Sequence, residues 1–98
     1  MLRFNCESHL ATQVYATLAG QLHPDGPADP RERVQDFIER LETLMAATGL
    51  PLRLRDHGIG ADDLPQLAAD AMLQTRLLIN NPRDVSEADA LEIYRRAW

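Results

Sequence analysis

The sequence predicts an all-α fold of about four helices with irregular connections, and three observations predict it. Apolar residues make up 45% of the chain but aromatics only 5%, so the core must be built from Leu, Ala, Val, Ile and Met, side chains that suit helix packing. Apolar positions recur at spacings of three and four over several stretches, the period of one helix face. Two segments, Asp29-Pro30 and Ser86-Glu87-Ala88-Asp89, have the form of helix starts. A chain of 98 residues is expected to make a single small helical domain, 1–98.

The first helix is expected from about Ser8 to Leu22, with Leu10, Val14, Tyr15, Leu18 and Leu22 on one face. Gly20, near its end, marks where the helix frays. His23-Pro24-Asp25-Gly26-Pro27-Ala28 then reads as a loop, because its prolines and glycine interrupt any regular element. The second helix has the clearest start: Asp29 as N-cap, Pro30 at the first helical position, Glu32 where a capping box needs an acid. Its stripe is Val34, Phe37, Ile38, Leu41, Leu44 and Met45, and Gly49 stops it.

From Pro51 to Ile59 leucines alternate with arginines, which predicts an extended coil with Leu52 and Leu54 inward and Arg53 and Arg55 outward. Asp62 and Asp63 suit the N-terminus of a third helix, and Pro65, tolerated only in a first turn, places its regular part at about Leu64 to Gln74. A connector runs through Pro82. Ser86 then caps the last helix with Asp89 as the reciprocal acid, and Leu91, Tyr94 and Trp98 mark its buried stripe.

Charge and composition close several functional routes. Ten Arg against fifteen Asp and Glu give a formal net charge of −5, without the basic excess that neutralises phosphates, so no nucleic-acid partner is expected. The chain has no Lys, which removes P-loop phosphate binding and Schiff-base chemistry. A single cysteine, Cys6, makes no internal disulfide, and the chain shows neither a signal peptide nor a long apolar run. Cytoplasmic location and no membrane contact are the resulting expectations.

No constellation of catalytic or ligating residues is legible. His9, His23 and His57 lie on three separate segments, whereas a helical metal site wants ligands at i, i+3 or i+4. Cys6, Ser8 and His9 are near neighbours in sequence, but no carboxylate is placed to orient them as nucleophile and base. The acidic run Glu32, Asp36, Glu39, Glu42 is interleaved with Arg33 and Arg40 and reads as a solvated face, with Asp36 and Arg40 as an ion pair. The glycines Gly20, Gly26, Gly49, Gly58 and Gly60 form no phosphate-binding cluster. No catalytic, cofactor-binding or metal residue is therefore assigned.

The order of four short motifs carries a family resemblance. Gly49-Leu50-Pro51-Leu52-Arg53-Leu54-Arg55-Asp56-His57-Gly58-Ile59, then Asp63-Leu64-Pro65, Asn81-Pro82-Arg83 and Glu92-Ile93-Tyr94, resemble the C-terminal tail of the iron-containing (group III, metal-dependent) alcohol dehydrogenases. Met1-Leu2-Arg3-Phe4-Asn5 is similar to the stretch that follows the family's last metal-ligand motif. The resemblance implies the terminal helical portion of an enzyme that uses NAD(P) and iron or zinc. It also implies that the family's Gly-rich cofactor loop and its ligands, one Asp and three His, lie outside these residues. Asn81-Pro82-Arg83 is then expected to be structural, the proline stiffening the chain before the last helix.

The expected function is that of a detached or truncated C-terminal segment, without dehydrogenase activity or bound cofactor of its own. The alternative is a small helical protein-interaction module on the same scaffold. Apolar stripes on four helices exceed what so small a core can cover, which predicts a homo-oligomer, or a separate chain supplying the rest of the enzyme.

Overall fold

Local capping decides where the helices begin. In the computed structural model, which describes residues 1–98, the elements are helical throughout and no strand forms. Four helices of seven or more residues are joined by one-turn pieces, as expected for an all-α chain with irregular connections. The chain divides into two compact units, Met1–Leu50 and Pro51–Trp98.

The first unit contains α1 (Leu2–Asn5), α2 (His9–Leu22) and α3 (Pro30–Ala47). Ser8 caps α2, its hydroxyl accepting from the Ala11 N–H at 3.4 Å. Asp29 caps α3 through the N–H groups of Arg31 and Glu32, both at 3.0 Å, with Pro30 in the first turn. Helix α2 packs on α3, and the shared core gathers Ala16 with Val34 and Ile38, flanked by Leu2, Cys6 and Tyr15. The side of α2 turned inward is its small one: Ala11, Thr12, Ala16 and Ala19 are buried, while Leu10, Val14, Leu18 and Leu22 are exposed.

Two polar side chains go inside with this core, and both are satisfied, as burial requires. Asn5 donates to the Tyr15 hydroxyl at 3.0 Å, and the Thr12 hydroxyl bonds the carbonyls of Cys6 and Ser8 at 3.0 and 3.1 Å. Gly20 does not mark fraying, because α2 runs on to Leu22. Its bare backbone instead leaves space for the Arg33 side chain: a Cβ there would sit 2.7 Å from Arg33 Nη1, while Arg33 Nε donates to the Pro27 carbonyl at 2.6 Å.

The second unit holds a 3-10 turn Leu54–His57, another at Ala61–Asp63, then α4 (Leu64–Met72), α5 (Thr75–Leu78) and α6 (Glu87–Ala97). The segment expected to be extended is therefore a turn. Gly58, at φ 82°, closes it in the left-handed region that glycine enters at least cost. Leu52 is exposed and Leu54 half-buried, and the arginines do more than face water. Arg53 Nη1 donates to the Arg96 carbonyl at 2.8 Å, and the Arg55 guanidinium lies 5.7 Å from the centre of the Trp98 ring.

Helix α4 begins at Leu64, with Pro65 in its first turn, as expected. It packs against α6, whose start carries the full capping box: the Asp89 N–H donates to Ser86 Oγ at 3.2 Å and the Ser86 N–H to Asp89 Oδ2 at 3.0 Å. The buried centre of this unit is Leu64 and Ala68 of α4 and Ala90 of α6, with Leu91 and Tyr94 of α6 half-buried. The one-turn α5 falls in what reads as a plain connector, too short to show a helical period.

Candidate functional site

The motif residues sort into punctuation rather than chemistry. Gly49, at φ 70°, follows the C-cap of α3 and takes the left-handed backbone that ends many helices. Asp63 accepts the Gly60 N–H at 2.8 Å and so braces the turn leading into α4. Asn81 donates its side-chain amide to the Arg83 carbonyl at 2.5 Å, folding the chain around Pro82 before α6. Each of these groups is used by the backbone next to it.

A concavity lies in the first unit, an open cleft of about 530 Å³ bordered by Arg3, Cys6, Glu7, Arg31 and Gln35. One of its charged groups, Arg3, is committed. Arg3 grips Glu42 with two nitrogens at 2.8 to 3.1 Å and donates a further bond to Gln35 at 3.1 Å, tying α1 to α3. Burial raises the Cys6 thiol above its ordinary 9.0, with Arg3 pulling weakly the other way, so at neutral pH it is the protonated, unreactive form. Ser8 spends its hydroxyl on the α2 cap. The nearby trio of Cys6, Ser8 and His9 thus has neither a thiolate nor a free hydroxyl.

The three histidines stand apart. His9 is exposed and its Nε2 pairs with the Gln13 amide at 3.0 Å. His23 forms the C-cap of α2, and His57 Nε2 bonds the Pro51 carbonyl at 3.0 Å. Nowhere do three His, Cys, Asp or Glu side chains converge on a point that could hold a metal. The donor set of these residues does not fit a catalytic iron or zinc, and the scattered glycines do not fit a dinucleotide phosphate loop. The acidic face of α3 is a solvated surface as expected, with Asp36 and Arg40 paired at 2.7 Å. No helix of the chain is long and apolar enough to cross a membrane.

Comparison with known proteins supplies what the geometry does not. The model of the Fe-containing alcohol dehydrogenase family, C-terminal, matches residues 1–98. The chain is similar to long-chain-alcohol dehydrogenase 1 of Geobacillus thermodenitrificans (strain NG80-2), 39% identical over 61 residues, which are 62% of this chain and 15% of that protein. Lactaldehyde reductase of Escherichia coli (strain K12) is 36% identical over 61 residues, again 62% of this chain and 16% of the relative. NADH-dependent butanol dehydrogenase A of Clostridium acetobutylicum is 28% identical over 74 residues, 76% of this chain and 19% of the relative. The matched region is thus less than a fifth of each relative's length. No solved structure matches the chain.

Proposed function

From the premise that the chain belongs to the Fe-containing alcohol dehydrogenase family, through its C-terminal part, we propose that it is a structural segment of an NAD(P)- and metal-dependent alcohol dehydrogenase and is catalytically silent alone. The family match along all of residues 1–98 carries this reading. Its physical support is the use of the motif residues: Gly49, Gly58, Asp63 and Asn81 shape turns and caps. Hydride transfer needs a nicotinamide fixed by a phosphate-binding loop and a metal set against the alcohol oxygen. Those groups would be supplied by the rest of the family fold. The reducing cytoplasm is the compartment that suits a lone, protonated Cys6.

The test is reconstitution. The Geobacillus long-chain-alcohol dehydrogenase 1, shortened by the region corresponding to this chain, is mixed with the chain and assayed for alcohol-dependent NAD(P) reduction. Recovery of activity in the mixture, with none from either part, supports the reading. A second reading, a small helical interaction module on the same scaffold, draws on the uncovered apolar side chains of both units, Leu10 and Leu18 in one and Leu73 and Ile79 in the other. Capture of a partner unrelated to dehydrogenases, without reconstitution, would favour it.

A further inference from the structure

Arg33 is the half-buried arginine that no carboxylate answers. Arg83, the other half-buried one, has Asp89 nearby, and the ion pairs of the chain join Arg3 to Glu42, Arg40 to Asp36 and Arg96 to Glu92. Withdrawing a cation from water costs free energy unless hydrogen bonds or an opposite charge replace the solvent. The Arg33 Nε–H goes to the Pro27 carbonyl at 2.6 Å, whereas the N–H donors on Nη1 and Nη2 have no protein acceptor.

The guanidinium is nonetheless held in place. The Pro27 bond fixes its Nε edge, and Nη1 lies against Gly20, where a Cβ would come within 2.7 Å of it. It borders an open depression of about 330 Å³, walled otherwise by Gln13, Ala16 and Thr17 of α2 and by Ala28 and Pro30. No acidic side chain lines this space.

We propose that the depression is a binding site for a small aliphatic monocarboxylate, its carboxylate paired with the Nη groups of Arg33 and its alkyl chain against Ala16, Ala28 and Pro30. The donors decide the class. A planar guanidinium edge matches the two oxygens of a carboxylate. Thr17 Oγ1 donates to the Gln13 carbonyl at 3.0 Å, and the Gln13 amide is shared with His9 at 3.0 Å, so the walls add little for a further oxygen. A phosphate dianion is therefore underserved, and the net charge of −5 opposes a second negative charge. The site uses only residues of the first unit and stands whether or not the chain completes an enzyme.

Butyrate is the probe. It replaces chloride at constant ionic strength in the isotope-labelled chain, followed by nitrogen–proton correlation spectra, with butyramide as the uncharged control. Expected are saturable shifts in the millimolar range at the Gln13, Thr17 and Gly20 amides and the Arg33 side-chain N–H, and none with butyramide. Arg33→Gln should abolish the saturation. Gly20→Ala, whose methyl displaces Nη1, should weaken binding several-fold, and Arg31→Gln, at an exposed position of the same helix, should leave it unchanged. Should circular dichroism show Arg33→Gln to be less helical, Arg33→Lys takes its place, keeping the charge and losing the fork, with a several-fold loss expected. Butyrate binding that survives both Arg33 substitutions, an equal loss in Arg31→Gln, equal binding of butyramide, or no saturation overturns the site. Inorganic phosphate binding more tightly than butyrate overturns the carboxylate assignment.

Discussion

Trp98 donates its indole N–H to the carbonyl of Ile59 at 2.9 Å, joining the last residue of the chain to the end of the 3-10 turn that carries the family's longest motif. With Arg53 on the Arg96 carbonyl and Arg55 over the indole, three side-chain contacts hold residues 53–59 to the end of α6. The motif is a strap for the C-terminal helix.

Replacing Trp98 by Phe is expected to destabilise the second unit by about 1 kcal/mol, the net value of one hydrogen bond, with a few tenths more from the weakened arginine contact. Urea unfolding followed by far-ultraviolet circular dichroism measures it. An unchanged midpoint would mean that the strap does not restrain α6.

The caps of the fold are legible in the sequence, and so is the Val34-Phe37-Ile38 face of α3, but the inward face of α2 is not. Asp29, Ser86 and Asp89 act within three residues of themselves, so their identities and spacing contain the information. Which side of α2 turns inward depends on α3, and no local pattern within α2 ranks an alanine face above a leucine ridge. Close approach through Ala16 and Gly20 decided it, the latter by leaving space for Arg33. The Pro51–Ile59 turn was missed for a related reason: alternation suggested an extended chain, while the positive φ of Gly58 curled it. The family resemblance survived these errors because it rests on order and spacing.

The Ser86 box makes a pH-dependent prediction. Hydrogen bonds from the Ser86 hydroxyl and N–H, with Arg83 nearby, hold the Asp89 carboxyl below its ordinary 3.8. A depressed folded value means the stabilisation is complete above 3.8 and is lost as pH falls through the lower folded value. Asp89→Asn should therefore abolish that part of the acid sensitivity of α6, and Ser86→Ala should cost about 1 kcal/mol at pH 7. Chemical-shift titration of Asp89 and urea unfolding check the two; an ordinary titration midpoint would contradict the box.

Cys6 should alkylate slowly. Its thiol is raised by burial, so at pH 7.5 iodoacetamide is expected to react several-fold more slowly than with a free peptide thiol, about 8.5 being ordinary for that reference. The rate should climb above pH 9 and approach the peptide rate in denaturant. Fast modification at neutral pH would show a thiolate and reopen the question of a nucleophile at the cleft.

Metal analysis after dialysis against iron or zinc should find well under one equivalent bound, because His9 and His23 lie at opposite ends of α2, His57 lies in the 3-10 turn of the second unit, and His9 and His57 already bond to neighbours. One equivalent retained, and lost on replacing these histidines, would contradict the assignment.

The central claim, that this chain is a segment of a dehydrogenase fold without its own cofactor site, is tested most directly by titrating it with NADH and NADPH. Quenching of Trp98 and nucleotide fluorescence report binding, and calorimetry confirms it. The account predicts no saturable signal up to millimolar nucleotide for the chain alone. Saturable binding at micromolar nucleotide, abolished by unfolding, would contradict it, since it would require a dinucleotide site among residues whose scattered glycines form no phosphate-binding loop.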